Sequence, residues 1–171
     1  RSELEIGINK EYVNILTLFG DVKIPVSKEL YEYLLALAIA HENAISNGVN
    51  INFEKKDFLS AAAIHSLPVF DIIVSNPPYI PVKELSKMDK NVTEYEPHEA
   101  LFVPDEQPFI FYEQIALFAK DHLKENGSIF LETHEAYAHE VLCLFNPAIY
   151  TAVIKKDIFE KDRMVIINRI R

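Results

Sequence analysis

The sequence predicts an α/β fold whose mostly parallel sheet closes on an antiparallel C-terminal hairpin. Three observations lead there. Phe70-Asp71-Ile72-Ile73-Val74-Ser75 is a short apolar run rich in β-branched residues, the pattern of a strand buried on both faces of a parallel sheet. Segments of helical pattern alternate along the chain with segments of strand pattern, as α/β folds require. Finally, Ile149 to Lys155 and Met164 to Arg169 are strand-like runs joined by the charged turn Asp157 to Arg163.

The elements follow in order. Tyr31 to Asn47 is a helix by pattern, because Leu34, Leu35, Ala38, Ile39 and Ala44 fall near helical spacing, and Asn47-Gly48 is a C-terminal stop. Val49 to Glu54 alternates as a short strand. Asp57 is placed to cap a second helical stretch reaching His65. The apolar strand then ends at Asn76-Pro77-Pro78-Tyr79. Residues 82 to 108 form a long polar excursion containing Tyr95-Glu96-Pro97 and Ala100-Leu101-Phe102, and such loops at a ligand-binding edge are more often functional than idle. Phe109 to Leu123 is an amphipathic helix, Glu125-Asn126-Gly127 turns into the strand Ser128 to Glu132, and Ala136 to Phe145 is a helix stopped near Pro147.

Composition narrows the function. At 171 residues and 49% hydrophobic content the chain can bury one substantial core, so one main domain is expected. Cys143 is the only cysteine, which excludes an internal disulfide and a cysteine-based zinc site. No apolar stretch is long enough to span a bilayer and no signal-peptide pattern is visible, so no membrane is expected and the cytoplasm is the expected location. A net charge of −9 disfavours a protein whose affinity comes from neutralising phosphates, so direct nucleic-acid binding is not expected. A protein or small-molecule substrate is favoured, with a monomer as the expected state. His65, His98, His134 and His139 form no metal-ligand spacing, and no metal is expected. Phe109, Tyr112 and Phe118 read as packing residues, and Cys143 as a small core residue.

The chemistry concentrates at Asn76-Pro77-Pro78-Tyr79. An Asn-Pro-Pro-aromatic run arises by accident in a chain of this length with odds on the order of one in a thousand. Pro77 and Pro78 carry no N–H, fix their own φ and hold the preceding residue extended, so Asn76 is held stiffly at the strand's C-terminal end. Ligands bind at that end in open α/β sheets. The turn's carbonyls and the Asn76 side-chain oxygen make a row of acceptors, and Tyr79 adds a flat ring with a polar tip. Such a set suits a planar NH2 group, either a carboxamide or an exocyclic base amine. When that weakly nucleophilic nitrogen takes a methyl group it turns transiently positive, and acceptors aimed at its hydrogens favour that state.

From Ala38 to Arg171 the chain resembles the HemK (PrmC) family, which methylates the glutamine of the Gly-Gly-Gln motif in peptide chain release factors. The resemblance rests on Ala38-Ile39-Ala40-His41-Glu42-Asn43-Ala44, on Phe70 to Pro81, on Tyr95-Glu96-Pro97 with Ala100-Leu101-Phe102, and on Asp162-Arg163. It implies a Rossmann-like class I methyltransferase that uses S-adenosylmethionine and acts in translation termination, with the release factor's Gly-Gly-Gln loop as partner. Asn76 and Pro77 would then be catalytic, accepting hydrogen bonds from the amide, and Asn76, Pro77, Pro78 and Tyr79 would bind substrate. Asp57 and Phe58 fall where the family meets the cofactor's adenine, with Asn76 as a third cofactor contact; a helix cap and a core residue are the plain alternatives for the first two. Glu96 is either a structural acceptor within its loop or a catalytic group.

The family's opening strand with its glycine-rich turn, and the acidic second strand, have no counterpart here, since the chain holds only Gly7, Gly20, Gly48 and Gly127. Residues 1–37 read as a remnant of the helical N-terminal substrate-binding domain, nearest at Gly7 to Ile15 and Val26 to Leu37. Residues 38–171 read as the C-terminal part of the methyltransferase domain. Weak cofactor binding is the consequence expected. Two alternatives stay open: a nucleic-acid amino methyltransferase acting on adenine or guanine, since such enzymes use similar turns, and a non-catalytic partner-binding fragment.

Overall fold

The computed structural model describes residues 6–8, 12–17, 20–25, 28–88 and 97–170. They fall into two compact units, Arg1–Lys55 and Lys56–Arg171.

In the first unit, strands β1 (Ile6–Ile8), β2 (Tyr12–Thr17) and β3 (Gly20–Pro25) form an antiparallel sheet in the order β1-β2-β3. Within the expected helical remnant of residues 1–37 the described elements are thus strands up to Pro25 and helix from Lys28. Val13 pairs with Ile24 and Ile15 with Val22, and β-branched residues at every second position suit a pleat better than a helical turn. Helix α1 (Lys28–Ser46) follows and runs unbroken through Leu37 and Ala38. It ends where Asn47-Gly48 predicts: Gly48 has φ 65°, its N–H reaches the Ile45 carbonyl and the Val49 N–H reaches Ala44, both at 3.0 Å. These two bonds are the Schellman arrangement, which needs a left-handed residue and so favours glycine.

Val49 to Glu54 is not a strand. Alternation supplies a face but not a partner, and an unpaired extended segment gains no ladder. Instead the Phe53 ring packs edge-on against His41 at 4.6 Å, and the Lys55 Nζ sits 4.5 Å from the centre of the Tyr33 ring, both on α1.

The second unit is built on a mixed sheet of order β4-β7-β9-β8. Strand β4 (Phe70–Ser75) runs parallel to β7 (Leu123–Glu132), which pairs antiparallel with β9 (Asp162–Arg169), itself antiparallel to β8 (Tyr150–Lys156). The closing hairpin is therefore as expected. Between β4 and β7 lie β5 (Ile80–Pro81), a 3-10 helix (Val82–Lys87), α3 (His98–Leu101), β6 (Phe102–Val103) and α4 (Ile110–His122). β5 and β6 pair in parallel, which ties the far end of the 82–108 excursion to the chain just past Tyr79.

One face of the sheet forms the core. Ile129, Leu131, Val165 and Ile167 pack with Tyr112, Ile115, Ala116 and Ala119 of α4 and with Ala138 and Val141 of α5 (Ala138–Cys143). Tyr112 and Phe118 are packing residues, as the helical spacing implied. Cys143, by contrast, is exposed; it sits on the solvent side of α5 while Val141 takes the core position.

β4 is not buried on both faces. Ile72 is 59% and Val74 76% exposed, because β4 pairs only with β7 among the described residues. An apolar run looks alike in a central and an edge strand.

Asp57 does not cap a helix through His65. Its Oδ1 accepts the Leu59 N–H at 3.0 Å, a local turn, and the short helix α2 (Ala61–Ile64) begins after Ser60. An aspartate satisfies a turn as well as a cap by bonding two residues ahead.

Arg169 fastens the helix-to-strand junction. Its Nη1 donates to the Ala119, Lys120 and Leu123 carbonyls at 3.3, 3.0 and 2.6 Å. Lys120 lies in the last turn, whose carbonyls a helix end leaves short of intrahelical donors, while the Ala119 carbonyl also takes the Leu123 N–H and Leu123 opens β7. Below this junction, β7 bulges through Lys124 to Gly127: Phe70 pairs with Leu123 but Ile72 with Ser128, and Asn126 takes φ 62°.

Candidate amide-binding site at the end of the sheet

Asn76 leaves β4 at its C-terminal end and is exposed, Pro77 is buried, and Pro78 and Tyr79 are half-buried. The prolines anchor the turn and leave the asparagine outside. None of the turn, loop and cap hydrogen bonds between described residues ends on the carbonyls of Asn76, Pro77 or Pro78.

In front of Asn76 is a cavity of about 210 Å³ lined by Val74, Ser75, Asn76, Phe130, Leu131, Glu132, Met164 and Ile166. The sheet register explains the lining. Val74 is level with Phe130 and Phe130 with Ile166, while Glu132 is level with Met164, so these alternate positions share the face that α4 and α5 leave uncovered. The floor is apolar and the polar groups stand at its rim.

Tyr79 is held from the side. Its hydroxyl donates to Glu132 Oε1 at 2.9 Å, and its ring centre lies 6.4 Å from that of His134, edge-on. Burial first, then the hydrogen bond to Glu132, pushes the Tyr79 hydroxyl up to about 12 from 10.0. Tyr112, buried on α4, donates to the Glu132 backbone carbonyl at 2.9 Å, and burial likewise pushes its hydroxyl well up. His134 in turn stands 3.6 Å from Glu84 in the 3-10 helix and 5.0 Å from the Tyr137 ring.

The hairpin braces the same edge. Arg163 donates to the Thr133 carbonyl at 3.3 Å and accepts the Thr133 N–H on its own carbonyl at 2.8 Å, while Lys161 pairs with Glu135 at 2.8 Å. The Asp157 side chain accepts the backbone N–H groups of Lys161 and Phe159 at 3.0 and 2.8 Å, which hold its carboxyl below the usual range. Glu135 is also lowered, chiefly by Lys161.

The structure thus brings Asn76, Pro77, Pro78 and Tyr79 together, and it adds Glu132, which sequence reasoning passed over. The available signal was a carboxyl residue ending an apolar strand, at the edge where α/β sheets bind ligands. Asp57 and Phe58 are not brought there. The Phe58 ring packs against Phe118 at 5.4 Å, and Phe118 also meets Phe70 at 6.2 Å. That is the start of β4, about 20 Å along the strand from Asn76 at ordinary strand rise. Tyr95 and Glu96 lie outside the described residues; Pro97 precedes α3. Among the described residues no group of three His, Cys, Asp or Glu side chains could hold a metal, and no helix is long and apolar enough to cross a membrane.

No protein-family model matches the chain. Among solved structures it is similar to TrmN from Thermus thermophilus, with TM-score 0.52 and 19% identity over 80% of this chain and 34% of that one. That likeness concerns the fold, which is the Rossmann-like α/β fold of class I methyltransferases. In sequence the chain is 40% identical over 135 residues to a release factor glutamine methyltransferase of Bacteroides thetaiotaomicron, covering 78% of this chain and 48% of that one. Proteins of the same name from Flavobacterium psychrophilum and Lactococcus lactis are also 40% identical, over 78% of this chain and 46% and 48% of theirs. The chain is a relative of the release factor glutamine methyltransferases and spans about half of their length.

Proposed function

We propose that this chain contributes the amide-binding side of an S-adenosylmethionine-dependent methyltransferase that modifies the N5 nitrogen of the glutamine in the release factors' Gly-Gly-Gln motif. It acts in the cytoplasm, as a monomer, with residues 38–171 as the C-terminal part of the catalytic domain. One observation carries this proposal: Asn76 stands exposed on a proline-stiffened turn at the rim of an apolar cavity, with Tyr79 tied down beside it.

The residues have a direct division of labour. The Asn76 side-chain oxygen and the Pro77 carbonyl accept the two N–H groups of the amide, and the Tyr79 ring supports its plane. The amide nitrogen is then presented in one orientation, and positioning of this kind supplies much of a transfer reaction's acceleration. The acceptors also favour the nitrogen as it becomes positive, more than they favour the neutral amide. The names of the relatives and the net charge of −9 support a protein amide over a base amine.

The test is transfer of labelled methyl from S-adenosylmethionine to a release factor, with nucleic acid as the parallel acceptor. Because Asp57 and Phe58 stand apart from Asn76, the donor is supplied at millimolar concentration, the upper end of common KM values. Label on the glutamine, lost by a factor on the order of 10² or more in Asn76→Ala, is the expected result. Label on nucleic acid alone, or none on either, refutes the proposal.

A further inference from the structure

The rim of the cavity holds one carboxyl group that the amide-binding scheme does not use. Glu132 ends β7, lines the same cavity as Asn76, and accepts the Tyr79 hydroxyl at 2.9 Å across 53 residues of sequence. Its backbone is fixed independently, because the Tyr112 hydroxyl, on a side chain only 1% exposed, donates to its carbonyl at 2.9 Å.

Tyr79 is differently placed. It lies between β4 and β5 in no regular element, so no helical or strand ladder sets its backbone. Its ring is half-buried, and the His134 ring approaches it edge-on. Two torsions govern the ring plane, and the one at the ring itself is broad. The directional contacts are at the hydroxyl, which donates to Glu132 at 2.9 Å and accepts from the Arg163 guanidinium; Glu132 is the partner that lines the cavity. An amide lying on that ring inherits whatever tilt the ring has.

We infer that Glu132 is a positioning residue: by holding the Tyr79 hydroxyl it sets the plane of the ring, and thereby the angle at which the amide nitrogen is presented beside Asn76. This rests on the amide-binding role proposed for Asn76 to Tyr79. The sequence of ties is α4 to β7 through Tyr112, and β7 to the Asn-Pro-Pro-Tyr turn through Glu132, so the turn is indexed to the core and not to the exposed edge strand that leads into it.

Four variants test it: Glu132→Ala, Glu132→Gln, Tyr79→Phe and the double Glu132→Ala/Tyr79→Phe. Glu132→Ala and Tyr79→Phe should each lower kcat for glutamine methylation about tenfold, the scale of one lost hydrogen bond, with KM for the release factor nearly unmoved. The double variant should be no slower than the slower single one, because both remove the same bond. Glu132→Gln keeps an oxygen acceptor at the same reach and should recover most of the rate. Additive losses, or Glu132→Gln as slow as Glu132→Ala, overturn the inference.

A second readout does not depend on turnover. In protein carrying ring-labelled tyrosine, the Tyr79 resonance is the one lost in Tyr79→Phe. Its titration should stand near 12 in the parent chain and fall part of the way toward the ordinary tyrosine value in Glu132→Ala, because burial still raises it while Arg163 lowers it. An unmoved resonance overturns the inference whatever the kinetics. A parent chain that transfers no methyl, with Tyr79 still responding to Glu132→Ala, refutes the methyltransferase function while the tie between Glu132 and the ring stands.

Discussion

Replacing Gly127 by alanine should strain the joint that sets β4 against β7. Gly127 sits where the bulge returns to the ladder, and its backbone is not left-handed, so alanine is allowed by conformation. The obstacle is space. A Cβ there would lie 2.9 Å from the Asp71 carbonyl oxygen, 2.9 Å from the Lys124 carbonyl oxygen and 2.8 Å from a Leu123 methyl carbon. The methyl carbon can rotate away, whereas the two oxygens belong to the backbone. Relief to ordinary contact at 3.4 Å requires the strands to part by about half an ångström. Overpacking of this kind costs typically 1–3 kcal/mol, and two backbone neighbours place it near 2.5 kcal/mol.

At roughly 2.1 cal/mol/K of unfolding entropy per residue, the unit Lys56–Arg171 loses about 4 °C per kcal/mol, or about 10 °C in all. A calorimetric or dichroism melt of Gly127→Ala beside the parent reads it directly. Gly48→Ala is the contrasting control: nothing lies within 4 Å of its Cβ, but φ is +65°, so only the left-handed penalty of about 1–2 kcal/mol applies. A Gly127→Ala melt within about 2 °C of the parent would refute the steric reasoning and show that the bulge yields freely.

The other predictions concern buried polar groups, the helix end, alkaline pH and the donor. Thr133 is 0% exposed and its hydroxyl has no hydrogen-bond partner among the described residues, so Thr133→Val should be neutral or stabilising by about 1 kcal/mol in urea unfolding; a loss above about 1 kcal/mol would mean the hydroxyl is satisfied. Arg169→Lys should destabilise by about 1–2 kcal/mol in the same assay, since a point charge cannot serve the three carbonyls that the guanidinium reaches; parent-like stability would show those bonds to be dispensable. Tyr79 keeps its proton in the folded chain up to about 12 but releases it near 10.0 when unfolded. Its contribution to stability is therefore complete below about pH 10 and is lost as pH rises through about 12. Tyr112 acts in the same direction. Unfolding at stepped alkaline pH should show the decline, shallower in Tyr79→Phe, and equal slopes would exclude Tyr79 as a source. Titration calorimetry should find weak S-adenosylmethionine binding, because the chain holds no glycine-rich turn of the kind that lets a backbone approach such a cofactor; ordinary affinity would refute that reasoning.

What could be read from the chain alone was whatever a few neighbouring residues decide among themselves. Gly48 ends α1 because a left-handed turn suits glycine. Two prolines halt β4 and push Asn76 outward because they fix φ and lack donors. The C-terminal strands pair because a short charged turn returns one run onto the next. Whatever needs a distant partner was decided only in three dimensions. Val49 to Glu54 has the alternation of a strand but no neighbour to complete its hydrogen bonds, and Ile72 and Val74 have the character of buried residues on a face that no described helix covers. Glu132 reads locally as the polar end of an apolar strand. Only the parallel register of β4 on β7 sets it across from Tyr79, because side chains 53 residues apart meet through the packing of the whole sheet and not through any local preference of the chain.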